Sequence, residues 1–232
     1  MNFHFEEGEI ILIDKPKNWT SFDIVKKIRI LLRYYRGIQK IKVGHAGTLD
    51  PLATGLLICC TGKATRRIVE FQEMDKEYVA TVELGRTTPS FDLETEANKI
   101  YPVDHITEEV VRGILTQFIG EQEQMPPAYS AKNVKGKRAY QLARAGEIFE
   151  LKAKRIEIKE IKLLDISLPA FSIKVRCSRG TYVRSLVRDI GIALHSGAVM
   201  TSLKRTAIGD YKVEDALSPK KLEKFLSETE QI

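Results

Sequence analysis

The chain has 232 residues, of which 43% are hydrophobic and 29% are charged. This balance is typical of a globular domain, and it excludes a fibrous, collagen-like or intrinsically disordered chain. Lysine and arginine number 37 against 31 aspartates and glutamates, so the formal net charge is +6. Such a moderate surplus suits a polyanionic partner, although many basic enzymes bind no nucleic acid.

The 3 cysteines lie in apolar, strand-like runs at Cys59, Cys60 and Cys177. Their number is odd and no CxxC spacing occurs, so we expect small core thiols in a reducing compartment and no structural zinc site. The N-terminus carries Glu6 and Glu7 where a signal peptide needs basic residues, and no apolar run approaches ~18 residues. These features predict a cytoplasmic protein.

The first predicted elements are a strand and a helix. The apolar run 9–13 predicts a buried strand that ends at the turn 14–16. Ser21 is a candidate N-cap for the helix that follows. The expected apolar face of this helix comprises Ile24, Val25, Ile28, Leu31, Leu32 and Tyr35. The opposite face carries Lys26, Lys27, Arg29, Arg33 and Arg36. A solvated face is the commoner case, and a face that follows phosphates is the alternative.

The next stretch, GHAGTLDPLATG at 44–55, is rich in glycine and contains a single carboxylate, Asp50. Because glycine and proline interrupt regular elements, it predicts a shaped loop, followed by a buried strand over 56–60. Asp50 precedes Pro51 and is therefore expected in extended backbone. Taken alone, Asp-Pro is ordinary turn chemistry. A loop attached to a rigid strand is also a common way to present a reactive side chain.

The remainder of the chain alternates between strand and helix patterns. Alternation over 78–84 predicts a half-exposed strand, and Thr107 is a candidate N-cap for a helix closed by Gly120. Further expected features are an acidic loop at 87–98, an irregular segment at 121–136, a short basic helix at 137–145, strands at 155–166 and 171–177, and helices at 183–194 and 219–227. These elements predict an α+β domain with a mixed, largely antiparallel sheet.

The stretch 44–55 resembles the GHxGTLDPxAxG signature of the TruB-type tRNA pseudouridine synthases. Other segments resemble motifs of the same family in the same order. They are DKPKNWTS at 14–21, KEY at 76–78 with LG at 84–85, QMPPAYSAK at 124–132, CSRGTYVRSL at 177–186 and LKRT at 203–206. The resemblance covers about residues 9–210, which is nearly the whole chain.

The resemblance implies the pseudouridine synthase fold, a central mixed sheet flanked by helices and loops. It implies a catalytic domain over 1–210 that includes an RNA-binding insertion at about 121–150. Many family members carry a C-terminal PUA domain, a small RNA-binding barrel. Only a short stretch with a helical pattern, 211–232, follows here, so we expect no full PUA domain and a weaker affinity for RNA.

The activity that the resemblance implies is isomerisation of uridine to pseudouridine in the T loop of tRNA, at position 55 in tRNA numbering, without cofactor or metal. The N1–C1′ bond breaks, the uracil turns and a C5–C1′ bond forms. Asp50 matches the catalytic aspartate, a nucleophile that acts on a flipped-out nucleotide. Whether the adduct forms on the sugar or on the base stays open.

Two further catalytic residues follow from the resemblance. Arg184 matches the arginine that pairs with the catalytic aspartate, and Tyr78 matches the tyrosine that stacks on the base. Taken alone, Arg184 would be a surface arginine near a helix start. Tyr78 alone would be an ordinary strand tyrosine with a buried ring and a solvated hydroxyl group.

The resemblance also suggests substrate-binding residues. Tyr182 matches another active-site tyrosine, Leu203 matches an apolar wall of the pocket, and His45 adjoins the catalytic loop, where it is expected to contact a displaced nucleotide. Several cations are expected near backbone phosphates: Lys15, Lys132, Lys135, Lys137 and Arg138. Each of these cations, taken singly, is more often a solvated surface charge.

Three places depart from the family's pattern. Asn18 stands where the family usually has glycine, and asparagine tolerates the left-handed backbone angles that a glycine position often needs. Arg179 replaces the usual lysine and keeps the positive charge. The loop 88–92 is less typical, which leaves the RNA contacts of that loop open.

Other function classes account for less of the sequence. Gly62-Lys63 suggests a phosphate-binding P-loop, but six residues separate Gly55 from Gly62 where the motif has four, and Ala64 follows the lysine. A non-catalytic RNA-binding module on the same fold is a second alternative, against which the matched Asp50, Tyr78 and Arg184 argue. An enzyme for another RNA is a third. We expect a monomer, with tRNA as the partner.

Overall fold

The computed structural model describes residues 3–134 and 136–228. The chain divides into two compact units, which we call the first unit (Met1–Tyr78 and Lys204–Ile232) and the second unit (Val79–Leu203). Residues 211–228, which the sequence suggested as a tail after a catalytic domain, belong to the first unit.

The described residues form six α-helices, thirteen strands and two short 3₁₀ helices. The helices are α1 (Ser21–Arg36), α2 (Ile68–Glu73), α3 (Glu108–Gln117), α4 (Ala139–Arg144), α5 (Val183–Ala193) and α6 (Pro219–Glu228). The strands are β1 (Ile10–Lys15), β2 (Val43–His45), β3 (Thr54–Thr61), β4 (Lys76–Leu84), β5 (Arg86–Thr87), β6 (Lys99–Ile100), β7 (Gly120–Gln124), β8 (Asn133–Val134), β9 (Lys137–Arg138), β10 (Lys154–Ser167), β11 (Ala170–Cys177), β12 (Ala198–Ile208) and β13 (Tyr211–Lys212). The 3₁₀ helices are Gly62–Arg67 and Val213–Asp215.

Strand β3 is the centre of the first unit. It pairs antiparallel with β1 from Ile10↔Cys60 to Lys15↔Gly55, and antiparallel with β2. The end of β12 pairs parallel to it at Arg205↔Gly55. One face of β3 packs into a cluster with α1 and α6, and the other face packs into a cluster that contains Phe71. Burial on both faces explains the uninterrupted apolar run in this strand.

The N-cap of helix α1 lies one residue earlier than the sequence suggested. Thr20, not Ser21, is the N-cap: its hydroxyl accepts from Asp23 N at 3.0 Å, and the Asp23 carboxylate accepts from Thr20 N at 2.8 Å. This reciprocal capping box outcompetes a cap by Ser21, since it satisfies two backbone donors at once. Gly37, with φ 65°, ends the helix. The predicted apolar face is the buried one.

Helix α6 confirms the predicted C-terminal helix and packs against α1. Leu222 and Leu226 are buried in the same cluster as α1. Two polar contacts join the helices: Lys27 Nζ lies 2.8 Å from the Glu223 carboxylate, and Arg36 donates to Leu226 O at 2.8 Å. Helix α6 is therefore part of the core of the first unit.

Within the second unit the sheet runs in the order β12, β4, β11, β10, β7. Strand β10 pairs antiparallel with both β11 and β7. The prediction that 121–136 is irregular was wrong at 121–124, where the polar strand β7 pairs with 154–158, and at 133–134, which form β8. Pairing with a long neighbour supplies the strand character that its own side chains do not signal. The α+β class with a mixed, mostly antiparallel sheet is confirmed.

Two helices of the second unit differ from their expected bounds. Thr107 caps α3 as predicted, but the helix ends at Gln117, and Gly120, with φ 108°, begins a strand instead. Helix α4 begins only at Ala139, because residues 137–138 pair with 133–134 in a short hairpin.

Candidate active site

The loop between β2 and β3 presents Asp50 in the first unit. Ala46 N donates to Ile58 O at 2.9 Å at the start of the loop, and Ala53 N donates to Asp50 O at 3.1 Å in a turn near its end. Leu49 and Ala53 on either side of the turn are 3% and 2% exposed. Asp50 itself is partly buried, on a loop whose backbone is held by these anchors.

Residues before and at the start of α1 also hold this loop. Ser21 Oγ accepts from Leu49 N at 2.8 Å and donates to Leu49 O at 3.2 Å. Asn18 N donates to Pro51 O at 2.8 Å. Asn18 has φ 67°, a left-handed conformation that asparagine adopts more readily than most residues. The structure therefore accommodates the departure from glycine at this position.

Lys15 lies inside the protein beneath the same loop. Its side chain is 0% exposed, and its ammonium group donates to Pro16 O at 3.0 Å, Trp19 O at 2.6 Å and Pro51 O at 3.4 Å. These three acceptors use all three ammonium protons. The expected contact of Lys15 with a backbone phosphate does not fit this placement, and the side chain instead joins the end of β1 to the residue after Asp50.

Arg205, at the parallel pairing of β12 with β3, holds the other side of the loop. It is 1% exposed, its Nε donates to Leu56 O at 2.8 Å, and its Nη2 donates to Gly47 O at 3.0 Å. Gly55, with φ 102°, lets the two strands approach, since a Cβ there would lie 2.3 Å from Arg205 O. The sequence interpretation assigned no role to Arg205, although its LKRT motif was a signal.

The electrostatics of the site link these buried cations to Asp50. Burial lowers the pKa of Lys15 to about 8; the Asp50 charge opposes this shift and the Arg205 charge reinforces it. Burial and the nearby Arg205 guanidinium also lower the pKa of His45. His45 is therefore a neutral imidazole at pH 7, and its Nδ1 is buried without a hydrogen-bond partner among the described groups.

Tyr78 lies on β4, where it is the last residue that belongs to the first unit, and it is partly buried. The two residues before it are firmly held. The buried Lys76 ammonium donates to Gln72 O and Met74 O at the end of α2, and Glu77 Oε1 accepts from Thr206 Oγ1 at 2.7 Å. These contacts fix the strand that carries the Tyr78 side chain.

Arg184 lies in the first turn of α5 in the second unit, and it is buried. Its side chain is 4% exposed, its Nη1 lies 3.6 Å from Asp92 Oδ2, and it donates to Ser90 O at 3.1 Å and Tyr129 O at 2.8 Å. The surface role considered for this arginine is therefore excluded. Asp92, buried to the same degree, was not assigned from the sequence, although it lies in the loop 88–92 that departs from the family's pattern.

Tyr182 is the N-cap residue of α5 and is held by a reciprocal pair of bonds. Its N donates to Gln124 Oε1 at 2.8 Å, and Gln124 Nε2 donates to Tyr182 O at 3.1 Å. Ser185 Oγ donates to Met125 O at 2.8 Å. The QMPPAYSAK segment is thereby anchored to the helix start that carries Arg184. Leu203 is 8% exposed near the middle of β12.

The expected phosphate-contacting cations of the second unit lie in and beside the β8–β9 hairpin. Lys132 is partly buried and donates to Lys152 O at 3.0 Å. Lys137 and Arg138 are exposed. Lys135 lies outside the described residues. Of this group, Lys137 and Arg138 have the exposure that a phosphate contact requires.

Within residues 3–134 and 136–228, no group of three or more His, Cys, Asp or Glu side chains could hold a metal ion. The three cysteines are buried and not disulfide-bonded. Burial raises the pKa of Cys60 to about 11 and that of Cys59 further, so both thiols are protonated and unreactive at pH 7. No helix in the described part of the chain is long and apolar enough to cross a membrane.

Comparison with known proteins gives family matches over most of the chain. Residues 34–183 match the model of the TruB family pseudouridylate synthase N-terminal domain. Residues 184–231 match the model of the tRNA pseudouridylate synthase B C-terminal domain.

Curated relatives match over nearly their full lengths. The tRNA pseudouridine synthase B of Phocaeicola vulgatus is 57% identical over 98% of this chain and 97% of its own. The enzyme of the same name from Parabacteroides distasonis is 54% identical over 97% of this chain and 95% of its own. The enzyme of the same name from Bacteroides thetaiotaomicron is 54% identical over 98% of this chain and 96% of its own.

Solved structures share the fold. A crystal structure of a Cbf5–Nop10–Gar1 complex matches with TM-score 0.73 and 29% identity over 96% of this chain. An H/ACA RNP bound to a substrate RNA containing 2′-deoxyuridine matches with TM-score 0.70 and 26% identity over 95% of this chain. This chain spans 55% and 54% of those two chains. The family models and the close relatives together establish that this chain belongs to the TruB family of pseudouridylate synthases.

Proposed function

We propose that this protein converts a uridine in the T loop of tRNA, at position 55 in tRNA numbering, to pseudouridine, with Asp50 as the nucleophile. The observation that carries the proposal is a partly buried aspartate on a loop held from both sides by buried cations, in a chain whose close relatives are named tRNA pseudouridine synthase B. The net charge of +6 is consistent with an RNA substrate.

In the proposed reaction the target nucleotide leaves the base stack before any bond changes, because the scissile bond is inaccessible in folded RNA. The Asp50 carboxylate then attacks the sugar or the base as the N1–C1′ bond breaks. The uracil turns, the bond between Asp50 and the substrate breaks to restore the carboxylate, and a C5–C1′ bond forms. The proton lost from C5 is balanced by one gained at N1. No net oxidation occurs, so the chain's own acid and base groups suffice for the chemistry.

The loop geometry supports the role of Asp50 as a positioned nucleophile. A carboxylate that attacks at one defined atom must be held within a fraction of an ångström of its reactive position. Hydrogen bonds between the side chains of Lys15, Ser21 and Arg205 and the loop backbone restrain residues on both sides of Asp50. The proposed catalytic group therefore needs little reorganisation when the substrate binds.

The other proposed site residues keep the roles that the resemblance implies. Tyr78 stacks on the flipped base, Arg184 supplies positive charge to the reacting groups, and Tyr182 and Leu203 line the base pocket. His45, as a neutral imidazole, suits stacking on or bonding to a displaced nucleotide. We assign Lys15 to holding the loop, and we retain Lys132 near the RNA backbone.

We further propose that the protein acts as a cytoplasmic monomer. The buried, reduced cysteines support a reducing compartment.

The test is pseudouridine formation in an unmodified tRNA transcript, mapped at base resolution, with wild type and Asp50→Asn. A transcript with cytidine at the target position is the RNA control. Product at the T-loop uridine from the wild type alone supports the proposal. Equal product from both proteins would exclude Asp50 as the nucleophile, and product at another uridine would exclude the T-loop assignment. Binding of tRNA without product would favour the non-catalytic RNA-binding module.

A further inference from the structure

A basic groove lies along the second half of α1, away from the Asp50 loop. It encloses about 520 Å³ and is formed by α1 residues from Arg29 to Arg33 together with residues 38–42. Its cations are Arg29, Arg33, Lys40 and Lys42. The remaining lining is isoleucine and one glutamine. Among the described residues, no carboxylate lines the groove.

The positive charge of this groove is uncompensated within the described chain. Arg33 and Lys40 are exposed, and neither forms an ion pair with a residue in 3–134 or 136–228. Four like charges around one concave surface raise its electrostatic potential and attract anions. Neutralisation by a polyanion that bridges several cations at once would release the counterions they hold.

A neighbouring groove on the same helix differs in this respect. It is lined by Asp23 as well as by Lys26 and Lys27, and Lys27 is bonded to Glu223 on α6. Part of its positive charge is therefore already balanced. The comparison singles out the groove around Arg33 as the surface on α1 that is best suited to an anionic partner.

The basic groove is connected to the Asp50 loop through β2. The Arg29 guanidinium donates to Val43 O at 2.9 Å, two residues before His45. At its other end, α1 begins at Ser21, which bonds Leu49 beside Asp50. Arg33 lies twelve positions after Ser21 in α1, so the two residues are about 18 Å apart along the helix axis at the usual rise per residue. An RNA that places its target nucleotide at Asp50 would reach this groove several nucleotides away.

We propose that this groove binds backbone phosphates of the RNA substrate outside the hairpin that contains the target uridine. The inference rests on the proposed function, because that function makes the partner a folded RNA. Phosphate contacts of this kind add affinity and fix orientation without reading sequence. They would let this short chain hold a whole tRNA more tightly than the isolated T-arm hairpin.

The experiment measures equilibrium binding of two RNAs, a full-length tRNA transcript and the isolated T-arm hairpin. The salt concentration is varied from about 50 to about 200 mM, a range over which binding through phosphate contacts weakens steeply. The test protein is Arg33→Glu/Lys40→Glu. Lys220→Glu/Lys221→Glu, which makes the same charge change at exposed positions of α6, is the matched control. Arg33→Lys/Lys40→Arg keeps the charge, and pseudouridine formation in both RNAs is followed in parallel.

We expect the test variant to bind full-length tRNA on the order of tenfold more weakly, with a salt slope smaller by about 1 to 2. Hairpin binding and conversion should stay at the wild-type level, as should both control proteins. Unchanged tRNA binding would overturn the proposal. Equal weakening of hairpin binding, or equal weakening by the α6 variant, would overturn it too. Absence of pseudouridine with the wild type would reject the proposed function. The binding comparison would still show whether the groove binds RNA.

Discussion

The loop that carries Asp50 and the β8–β9 hairpin both contain cations, but these cations differ in burial. Lys15 and Arg205 beside the loop are 0% and 1% exposed and donate to backbone carbonyls. Lys137 and Arg138 on the hairpin are exposed, although Arg138 also donates to Ala131 O at 2.8 Å. Burial therefore decides whether a cation is closed to solvent or remains accessible to a phosphate.

The same contrast explains why each region tolerates change differently. A buried cation that loses its side chain leaves carbonyl groups without donors in a place that water does not reach, which is costly. An exposed cation that is lost is replaced by solvent at little cost in stability. Variants at buried and exposed positions test this difference.

Asp50→Asn should remove the proposed nucleophile and lower single-turnover pseudouridine formation by at least about 10³-fold. Asparagine is nearly isosteric, so tRNA affinity and the unfolding midpoint should stay near wild-type values. Rapid-quench assays with saturating enzyme would measure the chemical step separately from binding. Retention of more than a tenth of the wild-type rate would contradict the assignment.

Arg184→Met should destabilise the second unit by about 3–5 kcal/mol, because it leaves the buried Asp92 carboxylate without its cation. Urea denaturation followed by circular dichroism would measure the change. The double variant Arg184→Met/Asp92→Asn removes the uncompensated charge and should regain part of the loss. If the double variant is no more stable than the single one, the pair is not coupled as its geometry suggests.

Lys15→Met should destabilise the protein by about 2–3 kcal/mol, since three partly buried carbonyls lose a charged donor. The loop after Asp50 would loosen, and turnover should fall by about 10²-fold. Lys132→Met, which removes one bond at a partly buried position, is the matched control and should change stability by less than about 0.5 kcal/mol. Similar losses of stability in both variants would contradict the contrast between the buried Lys15 and the partly buried Lys132.

The pH dependence of stability offers a separate test of Lys15. Its pKa is lowered from 10.5 to about 8 in the folded protein, so the unfolded chain binds more protons between those values. Stability should therefore rise with pH across this window, relative to Lys15→Met, by about 2 kcal/mol. Urea denaturation of both proteins at about pH 7.5 and about pH 10, near the two ends of this window, would measure the change in unfolding free energy. A difference that is flat or falls with pH would show that Lys15 remains charged when folded.

Lys137→Gln should have the smallest effect on the protein itself. Lys137 forms only an exposed ion pair with Glu147 at 3.3 Å, so stability should change by less than about 0.5 kcal/mol. The salt slope of tRNA binding should fall by about 1 if this side chain meets a phosphate. An unchanged slope would show that the exposed hairpin cation is only solvated.

Much of the secondary structure followed from local patterns. The apolar run of β3, the amphipathic face of α1 and the Thr107 cap of α3 were all predicted correctly, because their signals lie in a few adjacent residues. The misses have a common origin. Strand β7 is polar and exists through its pairing with β10, and α4 starts late because a hairpin takes its first residues. Long-range pairing overrides local propensity in both places.

The residues of the candidate site also fall into two groups, those that sequence motifs identify and those that only tertiary contacts identify. Asp50, Tyr78 and Arg184 were singled out from motifs, and they remain the proposed catalytic residues. Lys15 was expected at the RNA, whereas Arg205 and Asp92 were not singled out, because burial and partners distant in sequence set their roles. No local pattern distinguishes a lysine that binds carbonyls from one that binds phosphates.

The sequence by itself determined the family, the α+β class and the loop that carries Asp50, since these depend on residue identity and on short-range periodicity. The tertiary structure alone decided which charges are inside. It buries Lys15 and Arg205 around the Asp50 loop and leaves Arg33, Lys40 and Lys137 exposed. The physical reason is that solvation, which governs what a charged side chain can bind, depends on everything that surrounds the side chain in three dimensions and not on its neighbours in the chain.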